Sequence, residues 1–295
     1  MSAAAVACVD APAGAVAFQG EPGAYSHLAC LTAFPQREAL PCAAFEDAFA
    51  AVQEGRAALA MIPIENSVAG RVADIHRLMP ASRLAIVGEH FERVEHHLLA
   101  VPGATLADIR AVRSHVHALG QCRAFLRRHG FKAVVAADTA GAAAEVAERG
   151  DPTVAAIASD LAGRIYGLTS LAANIEDAEH NTTRFLVMAR EAMPPPPHST
   201  PCITTFVFRV RNVPAALYKA LGGFATNGVN MTKLESYQIN GAFAATLFYA
   251  DVEGHPEETP LRLALEELEF FSREVRILGV YPADPFRFKA RAAGD

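Results

Sequence analysis

The sequence lacks the marks of several large protein classes. It has 26 Lys and Arg against 32 Asp and Glu, a net charge of −6, and its basic residues form no stripe, so we expect no nucleic-acid partner. No segment is long and apolar enough to cross a bilayer, so we expect no membrane partner either. The Ala-rich start has no Lys or Arg before Arg37, and Asp10 interrupts it, which predicts a loose tail over residues 1–14 rather than a secretory signal.

Patterns typical of metal and cofactor chemistry are missing as well. The cysteines number five and include no CxxC pair, which indicates reduced thiols in a cytoplasmic protein and argues against structural zinc. His115 and His117 have no nearby carboxylate or third ligand at a suitable spacing, so we predict no metal site. There is no GxGxxG, no GxSxG elbow and no evident Ser-His-Asp triad, and we therefore predict no cofactor.

What the sequence does contain is ample apolar material, 52% of 295 residues, which by length suggests about two domains. Before a proline-rich segment at residues 193–201, short apolar runs alternate with Ala-rich helical stretches, which predicts an open α/β architecture with mostly parallel strands. Predicted strands are 16–19, 59–64, 84–87, 98–101, 133–136, 154–158 and 185–189. Predicted helices are 25–34, 45–53, 117–129 and 140–149, the last capped by Asp138 or Thr139 and ended by Gly150.

After the proline-rich linker the pattern changes to strand, helix, strand, strand, helix, strand. Strands are predicted at 203–210, 229–239, 242–252 and 275–281, with Asn240-Gly241 as a hairpin turn. Pro214 opens a helix to about Thr226, and Thr259-Pro260 opens a second, amphipathic one. This order is the ferredoxin-like arrangement, and it suggests a small regulatory or dimerising module.

Four polar segments lie next to predicted strands, where small ligands of α/β proteins usually dock. They are Gly20-Glu-Pro-Gly-Ala-Tyr-Ser26, Pro63-Ile-Glu-Asn-Ser67, Ser114 to Cys122, and Asn181-Thr-Thr-Arg-Phe185. Each has a purely structural alternative. The glycine turn and the Thr-Thr-Arg run are open to interpretation as simple turns, and Asn66 or Ser67 as a helix cap.

Together these segments resemble the prephenate dehydratase family over residues 16–282. Residues 20–26 are similar to its glycine turn, Glu65-Asn66-Ser67 to its ENS motif, Ser114-His115 with Gln121-Cys122 to its third motif, and Thr183-Arg184-Phe185 to its TRF motif. Asn174-Ile-Glu-Asp177 lies just ahead of the last, as in the family. The resemblance implies a two-lobed, periplasmic-binding-protein-like catalytic region at 15–192 with a cleft between the lobes. It also implies an ACT regulatory domain at 202–283, a tail at 284–295, and a homodimer or homotetramer.

The implied reaction is loss of carbon dioxide and water from prephenate, which gives phenylpyruvate and needs no electron sink. Thr183 would act as an oriented donor to the leaving hydroxyl, because its own pKa is far too high for a free acid. Arg184 would bind a substrate carboxylate through its planar fork, or else pack structurally, with Phe185 filling core. Further substrate contacts would come from Ser26, Asn66, Ser67, Ser114, Gln121 and Phe185. Glu65 is assigned to orienting its loop.

The resemblance also implies that L-phenylalanine is an effector bound between paired ACT domains. The implied effector residues are Ala215, Leu217, Asn230, Glu235 and Ser236. Ala215 stands where the family has a glycine, Tyr237-Gln238 where it has Arg-Pro, and Val116 where a proline follows Ser-His. Two other functions compete with the main interpretation: arogenate dehydratase, which performs the same chemistry on the transaminated substrate, and a non-catalytic carboxylate or amino-acid binding regulator.

Overall fold

A computed structural model describes residues 14–289 except 73–74, 76–77, 80 and 239–244. The described chain divides into two compact units. The N-terminal unit comprises residues 14–75 and 90–185, and the C-terminal unit comprises residues 78–89 and 186–289. No helix among the described residues is long and apolar enough to cross a membrane.

The N-terminal unit contains two mixed sheets. Its strands are β1 Val16–Gln19, β2 Ala39–Cys42, β3 Leu59–Asn66, β4 Gly70–Arg71, β6 His97–Ala100, β7 Ala111–Ser114, β8 Lys132–Val135, β9 Val154–Ala158 and β10 Thr169–Ala172. The unit boundaries fall within β5 Ala85–Arg93 and β11 Thr182–Ala189. One sheet has the order β11-β3-β1-β2 with β4 paired to β3, and the other has the order β10-β6-β9-β7-β8.

Outside residues 73–80, the described residues of this unit form six helices. They are α1 Tyr25–Ala33, α2 Phe45–Gln53, α3 Val116–Gln121, α4 Arg123–His129, α5 Thr139–Arg149 and α6 Asp160–Tyr166. The predicted cap of α5 is confirmed, since Asp138 accepts a hydrogen bond from the Gly141 amide at 2.6 Å. Gly150 ends the same helix in the left-handed conformation, as predicted.

Both sheets are mixed: β1 is parallel to β2 and β3, and β7 to β8 and β9, whereas β4 is antiparallel to β3 and β6 to both β9 and β10. One expectation for this unit is corrected. The helix predicted at 117–129 is two helices that break at Cys122, where Asp177 accepts from the Ala124 amide at 3.1 Å and donates its own amide to the Gln121 carbonyl at 2.6 Å. The Asp177 carboxylate, which is distant in sequence, thus accepts a hydrogen bond at the start of α4. The hydrophobic periodicity of residues 117–129 does not indicate this helix break.

The C-terminal unit has the predicted element order. It contains β12 Cys202–Val210, α7 Ala216–Thr226, β13 Met231–Gln238, β14 Ala245–Glu253, α8 Thr259–Phe271 and β15 Ser272–Pro282. The strand order is β13-β14-β12-β15-β5, with antiparallel pairing throughout except between β15 and β5. A side chain at Gly279 would collide with the Ile86 carbonyl, which explains the glycine where β15 meets β5. The predicted Asn240-Gly241 turn lies outside the described residues.

Aromatic and aliphatic side chains of β12 and β14 pack against α7 and α8 to form the core of this unit, including Phe206, Phe208, Phe224, Phe248 and Leu268. The helix predicted to open at Pro214 begins instead at Ala216, because Ala215 has a φ of +62° that no right-handed helix can include. Residues 284–289, predicted as the start of a tail, contact the unit through Glu89. Arg287 binds both oxygens of this carboxylate, at 2.6 and 2.8 Å.

Candidate active site

Asn66 stands at the end of β3, and its side chain is fixed by two backbone amides. Its Oδ1 accepts from the amides of Val68 at 2.9 Å and Ala69 at 2.8 Å. The opposite atom, Nδ2, must therefore be a donor, and it contacts Asn181 Oδ1 at 2.8 Å and Thr183 Oγ1 at 3.0 Å. Asn66 is thus both a turn residue and the link between two predicted motifs.

Thr183 is the second residue of β11 and is partly exposed. Because Asn66 donates to it, the Thr183 oxygen acts here as an acceptor and its own proton points elsewhere. Among the described residues no acceptor takes that proton. The hydroxyl is thus held in place by one partner while its donor stays available to a bound molecule.

Gln121 joins the same cluster from the last residue of α3. Its Oε1 accepts from Asn181 Nδ2 at 3.1 Å and contacts His96 Nε2 at 2.8 Å. Asn181 is buried, with 1% of its surface exposed, so both of its amide atoms are satisfied inside the protein. The structure therefore brings the predicted residues Asn66, Gln121 and Thr183 together through Asn181.

Sequence reasoning missed His96 and Tyr25, which extend this cluster. The Tyr25 hydroxyl lies 2.8 Å from the Glu95 carbonyl and 2.8 Å from His96 Nδ1. Burial lowers the pKa of His96 from its ordinary value of 6.5, while burial first and then Cys122, Glu176 and Glu95 raise the pKa of Tyr25 well above 10.0. The available signal was a polar Glu95-His96 pair directly in front of a buried strand, the same setting as the TRF segment.

Arg184 is buried, with 3% exposed, and its Nη1 donates to Glu65 Oε1 at 2.9 Å. The pair fits the role predicted for Glu65, because a carboxylate beside a guanidinium holds that group rather than repelling an anionic ligand. Two predicted motifs are joined by this ion pair as well as by Asn66.

Ser67 ties the same two strands together. Its hydroxyl donates to the His180 carbonyl at 2.7 Å and accepts from the Thr182 amide at 2.9 Å. Ser114 lies apart, fully buried, and donates to the Ile157 carbonyl at 2.6 Å. Ser26 in the first turn of α1 and the buried Phe185 are outside the hydrogen-bonded cluster, so their substrate contacts and that of Ser114 stay predictions.

The glycine turn before α1 is held by α6. Gly23 has a φ of +95°, and a side chain there would collide with the backbone of Ala162. The Gly23 carbonyl accepts from Ser159 at 2.6 Å, and the Pro22 carbonyl accepts from Tyr166 at 2.9 Å. The two glycine-turn contacts fix the position of Ser26 at the helix start.

The predicted effector residues are all in the C-terminal unit. Ala215 precedes α7 in the left-handed conformation, Leu217 packs against the core, and the Asn230 carbonyl accepts from the Glu253 amide at 2.9 Å. Glu235 pairs with Lys233 at 3.4 Å, whereas Ser236 is exposed on the other face of β13. Their binding of an amino acid stays a prediction.

Taken together, the N-terminal unit presents neutral amides, a hydroxyl with an available proton and a buried guanidinium. The described residues include no group of three His, Cys, Asp or Glu side chains arranged to hold a metal ion. Such a site is compatible with a lyase that acts on a carboxylate substrate, because it offers a hydrogen-bond donor and a cation to oxygen atoms.

Known proteins agree with this class. The family model described as prephenate dehydratase matches residues 16–193. A bifunctional N-acyl-homoserine lactone acylase/prephenate dehydratase of Komagataeibacter europaeus is 56% identical over 93% of this chain and 98% of its own. Arogenate dehydratase/prephenate dehydratase 1 of Arabidopsis thaliana, a chloroplastic protein, is 43% identical over 92% of this chain and 73% of its own.

A solved structure is similar over nearly the whole chain. The prephenate dehydratase of Arthrobacter aurescens in complex with L-Phe has a TM-score of 0.83 and 29% identity, covering 95% of this chain and 97% of that one. The chain therefore belongs to the prephenate dehydratase family. The predicted function, a hydro-lyase of aromatic amino acid biosynthesis, is confirmed at this level.

Proposed function

We propose that this chain converts prephenate to phenylpyruvate with Thr183 as the donor to the leaving hydroxyl. The observation that carries the proposal is the contact from Asn66 Nδ2 to Thr183 Oγ1, which leaves the Thr183 proton for the substrate. The ring carboxylate leaves as carbon dioxide and its bonding electrons aromatise the ring. The hydroxyl leaves with its own bonding pair and takes up a proton to form water.

Thr183 stabilises charge that develops on the departing oxygen. A preorganised donor of this kind contributes about 2.7–4 kcal/mol to the transition state. Hydrogen-bond donation suits this task because the hydroxyl oxygen becomes more negative as its bond to carbon breaks, so the hydrogen bond strengthens in the transition state.

Arg184 binds a substrate carboxylate in this proposal, and Glu65 orients the guanidinium at 2.9 Å. Gln121 adds neutral hydrogen bonds through its Nε2, and the predicted contacts of Ser26, Ser114 and Phe185 complete the substrate site. The Asn66 and Ser67 protons are used inside the protein, so these two residues support the site by holding Thr183 and the start of β11. Arg184→Lys keeps the charge but loses the planar fork, so we expect KM to rise more than kcat falls.

The remaining architecture is part of the same proposal. The two sheets of the N-terminal unit are the two lobes of a periplasmic-binding-protein-like catalytic region at 15–192, with the substrate in the cleft between them. Residues 193–201 are the linker and residues 202–283 an ACT domain. The strand order of β12 to β15 supports a ferredoxin-like domain. We place the enzyme in the cytoplasm as a homodimer or homotetramer.

L-phenylalanine is the effector we propose for the ACT domain. Support comes from the L-Phe complex of the Arthrobacter aurescens relative. Titration calorimetry with the full chain tests it: saturable heat with phenylalanine is expected, and heat only with a different amino acid would overturn it.

The assay that tests the main proposal supplies purified protein with prephenate and follows phenylpyruvate by its absorbance in alkali. We expect wild-type turnover, a collapse in Thr183→Ala and substantial recovery in Thr183→Ser. An arogenate arm separates the two dehydratases, because arogenate gives phenylalanine instead. Binding of prephenate without product would make the chain a sensor.

A second candidate function is hydrolysis of N-acyl-homoserine lactones. It rests on the 56% identity to the Komagataeibacter europaeus protein, whose name includes that acylase activity. Mass spectrometry of the chain incubated with such lactones is expected to show free homoserine lactone and fatty acid. Intact lactone under conditions that support prephenate turnover would reject this second function.

A further inference from the structure

The cluster around Thr183 has a defined donor-to-acceptor direction that can be followed from one end to the other. The amides of Val68 and Ala69 fix Oδ1 of Asn66 as an acceptor. Its Nδ2 then donates to Asn181 Oδ1, so Asn181 Nδ2 must face Gln121 as a donor. The orientation of each amide is thereby set by its neighbour, beginning from backbone groups that have no alternative role.

The same reasoning fixes the tautomer of His96. The Gln121 oxygen accepts from Asn181 and also lies 2.8 Å from His96 Nε2. Because this oxygen can only accept, the hydrogen of the second bond must come from His96 Nε2. Nε2 therefore carries hydrogen, and Nδ1 of the neutral ring is an acceptor. The Tyr25 hydroxyl lies 2.8 Å from this nitrogen and 2.8 Å from the Glu95 carbonyl, so its single proton faces two acceptors.

We propose that Tyr25 and His96 are positioning residues for Thr183. They hold the Gln121 side chain where its oxygen accepts from Asn181, and so keep Asn181 and Asn66 in place beside Thr183. This inference rests on the proposed function of Thr183. The direction of the amide chain is set by the Val68 and Ala69 amides, so losing Tyr25 or His96 would not reverse it. Gln121 would instead lose a support, and the Asn66 donor would be held less firmly at the Thr183 oxygen.

The Tyr25 hydroxyl also has a second acceptor, which lets the chain tolerate a proton on His96. A protonated ring would donate from Nδ1 to the Tyr25 oxygen, and Tyr25 would donate to the Glu95 carbonyl at 2.8 Å. The bond from Nε2 to Gln121 is the same in both states. Titratable groups facing the ring are Tyr25, His97 and Glu176, whose carboxylate accepts from the His96 amide at 2.9 Å. Tyr25 in turn faces Glu95, Cys122 and Glu176. Burial lowers the pKa of His96, which keeps the neutral form dominant at neutral pH.

Two measurements test the proposal. The first is nitrogen NMR of the full chain labelled in histidine, with His96→Gln used to assign the signal. We expect the Nε2-protonated tautomer for His96 both in wild type and in Tyr25→Phe, because the amide chain sets it through the Gln121 oxygen. A His96 protonated only on Nδ1 in wild type would overturn the proposal, and this readout does not depend on turnover.

The second measurement is steady-state kinetics with prephenate. Tyr25→Phe is expected to lower kcat about tenfold with KM within about twofold, because a lost hydrogen bond to a buried group has about that effect on a population of correctly oriented hydroxyls. Tyr281→Phe is the matched control, since it removes a buried tyrosine hydroxyl in the C-terminal unit, 2.8 Å from Thr205. We expect it to lower stability and leave kcat unchanged.

Rescue at His96 completes the test. His96→Leu removes the donor to Gln121 and should lower kcat about tenfold, while His96→Gln supplies an amide donor and should recover most of it. Equal kcat in wild type, Tyr25→Phe and His96→Leu would overturn the inference and leave the proposed function standing. No turnover in wild type would reject the proposed function, and the tautomer would still decide the direction of the chain.

Discussion

Each unit contains a buried polar network that includes a threonine, and the two networks end differently. In the C-terminal unit, Thr205 donates to Asp251 at 2.6 Å and lies 2.8 Å from the Tyr281 hydroxyl, and all three side chains are fully buried. In the N-terminal unit, the network ends at the partly exposed Thr183, which accepts a bond and keeps its proton. Burial of polar groups is therefore a poor sign of function by itself. The difference that indicates function is whether the threonine hydroxyl proton is already donated inside the protein, as in Thr205, or remains available, as in Thr183.

The largest expected effect concerns an ion pair that has only a structural role in this account. Arg287→Met leaves the buried Glu89 carboxylate without its bidentate partner and should lower the free energy of unfolding by about 3–5 kcal/mol. The exposed pair of Arg262 and Glu266 at 2.7 Å provides the control, and Arg262→Met should cost about 0.3–0.5 kcal/mol. Urea denaturation measures both. A fall in kcat without a fall in stability would break the comparison between the units.

The next largest effect is expected from replacing the Asn66 hydrogen-bond donor by an acceptor. Asn66→Asp keeps an oxygen for the Val68 and Ala69 amides but replaces the donor to Thr183 by an acceptor. The Thr183 proton would then turn toward the new carboxylate, so we expect kcat to fall about a hundredfold. Melting temperature should also fall, because the buried Asn181 oxygen loses its donor. Normal kcat in this variant would show that the direction of the Asn66 bond does not matter.

Much of the fold follows from sequence pattern, and the exceptions have physical reasons. Strands such as β1 and β9 are short apolar runs buried on both faces, and they have the predicted bounds. β2 contains Pro41, which argues against a strand, and β10 is short and largely exposed. The helix α6 was not predicted, because its seven residues are too few to display a helical period of apolar residues.

The candidate site was predictable in part. The motifs identified Asn66, Gln121 and Thr183, which the structure joins. Sequence could not reveal that Asn66 and Thr183, 117 positions apart, share a hydrogen bond, because no local pattern encodes it. His96 was missed for a related reason. Its two ring nitrogens contact Gln121 and Tyr25, which are distant in sequence, and no local pattern indicates these contacts.

A smaller effect is expected where the C-terminal unit holds backbone strain. Ala215 has a φ of +62°, which costs an L-residue about 1–2 kcal/mol, so Ala215→Gly should stabilise the protein by about 1 kcal/mol. Its neighbour Ala216 lies in the helix, and Ala216→Gly should destabilise by about 0.5–1 kcal/mol. Thermal unfolding distinguishes the two. Destabilisation by Ala215→Gly would mean that the strain is offset by contacts of the methyl group.

The smallest effect is the dependence of stability on pH. Burial lowers the pKa of His27, His96 and His115, all in the N-terminal unit, below the ordinary value of 6.5. The unfolded chain therefore binds protons more readily, and stability should be complete above about pH 6.5 and fall as the pH drops from there toward the folded pKa values. Melting curves between about pH 7.5 and pH 5.5 measure this, and His96→Gln should flatten the slope. A melting temperature that rises on acidification contradicts the assignment.

If an unused donor marks the functional network, replacing one threonine in each unit should have opposite effects. Thr183→Ala and Thr205→Val are assayed side by side for prephenate turnover and for stability. We expect Thr183→Ala to lower kcat by about a hundredfold or more with little change in melting temperature. We expect Thr205→Val to lower stability by about 1–3 kcal/mol while the folded protein keeps its kcat. The opposite pattern, or equal loss of kcat in both variants, would contradict this expectation.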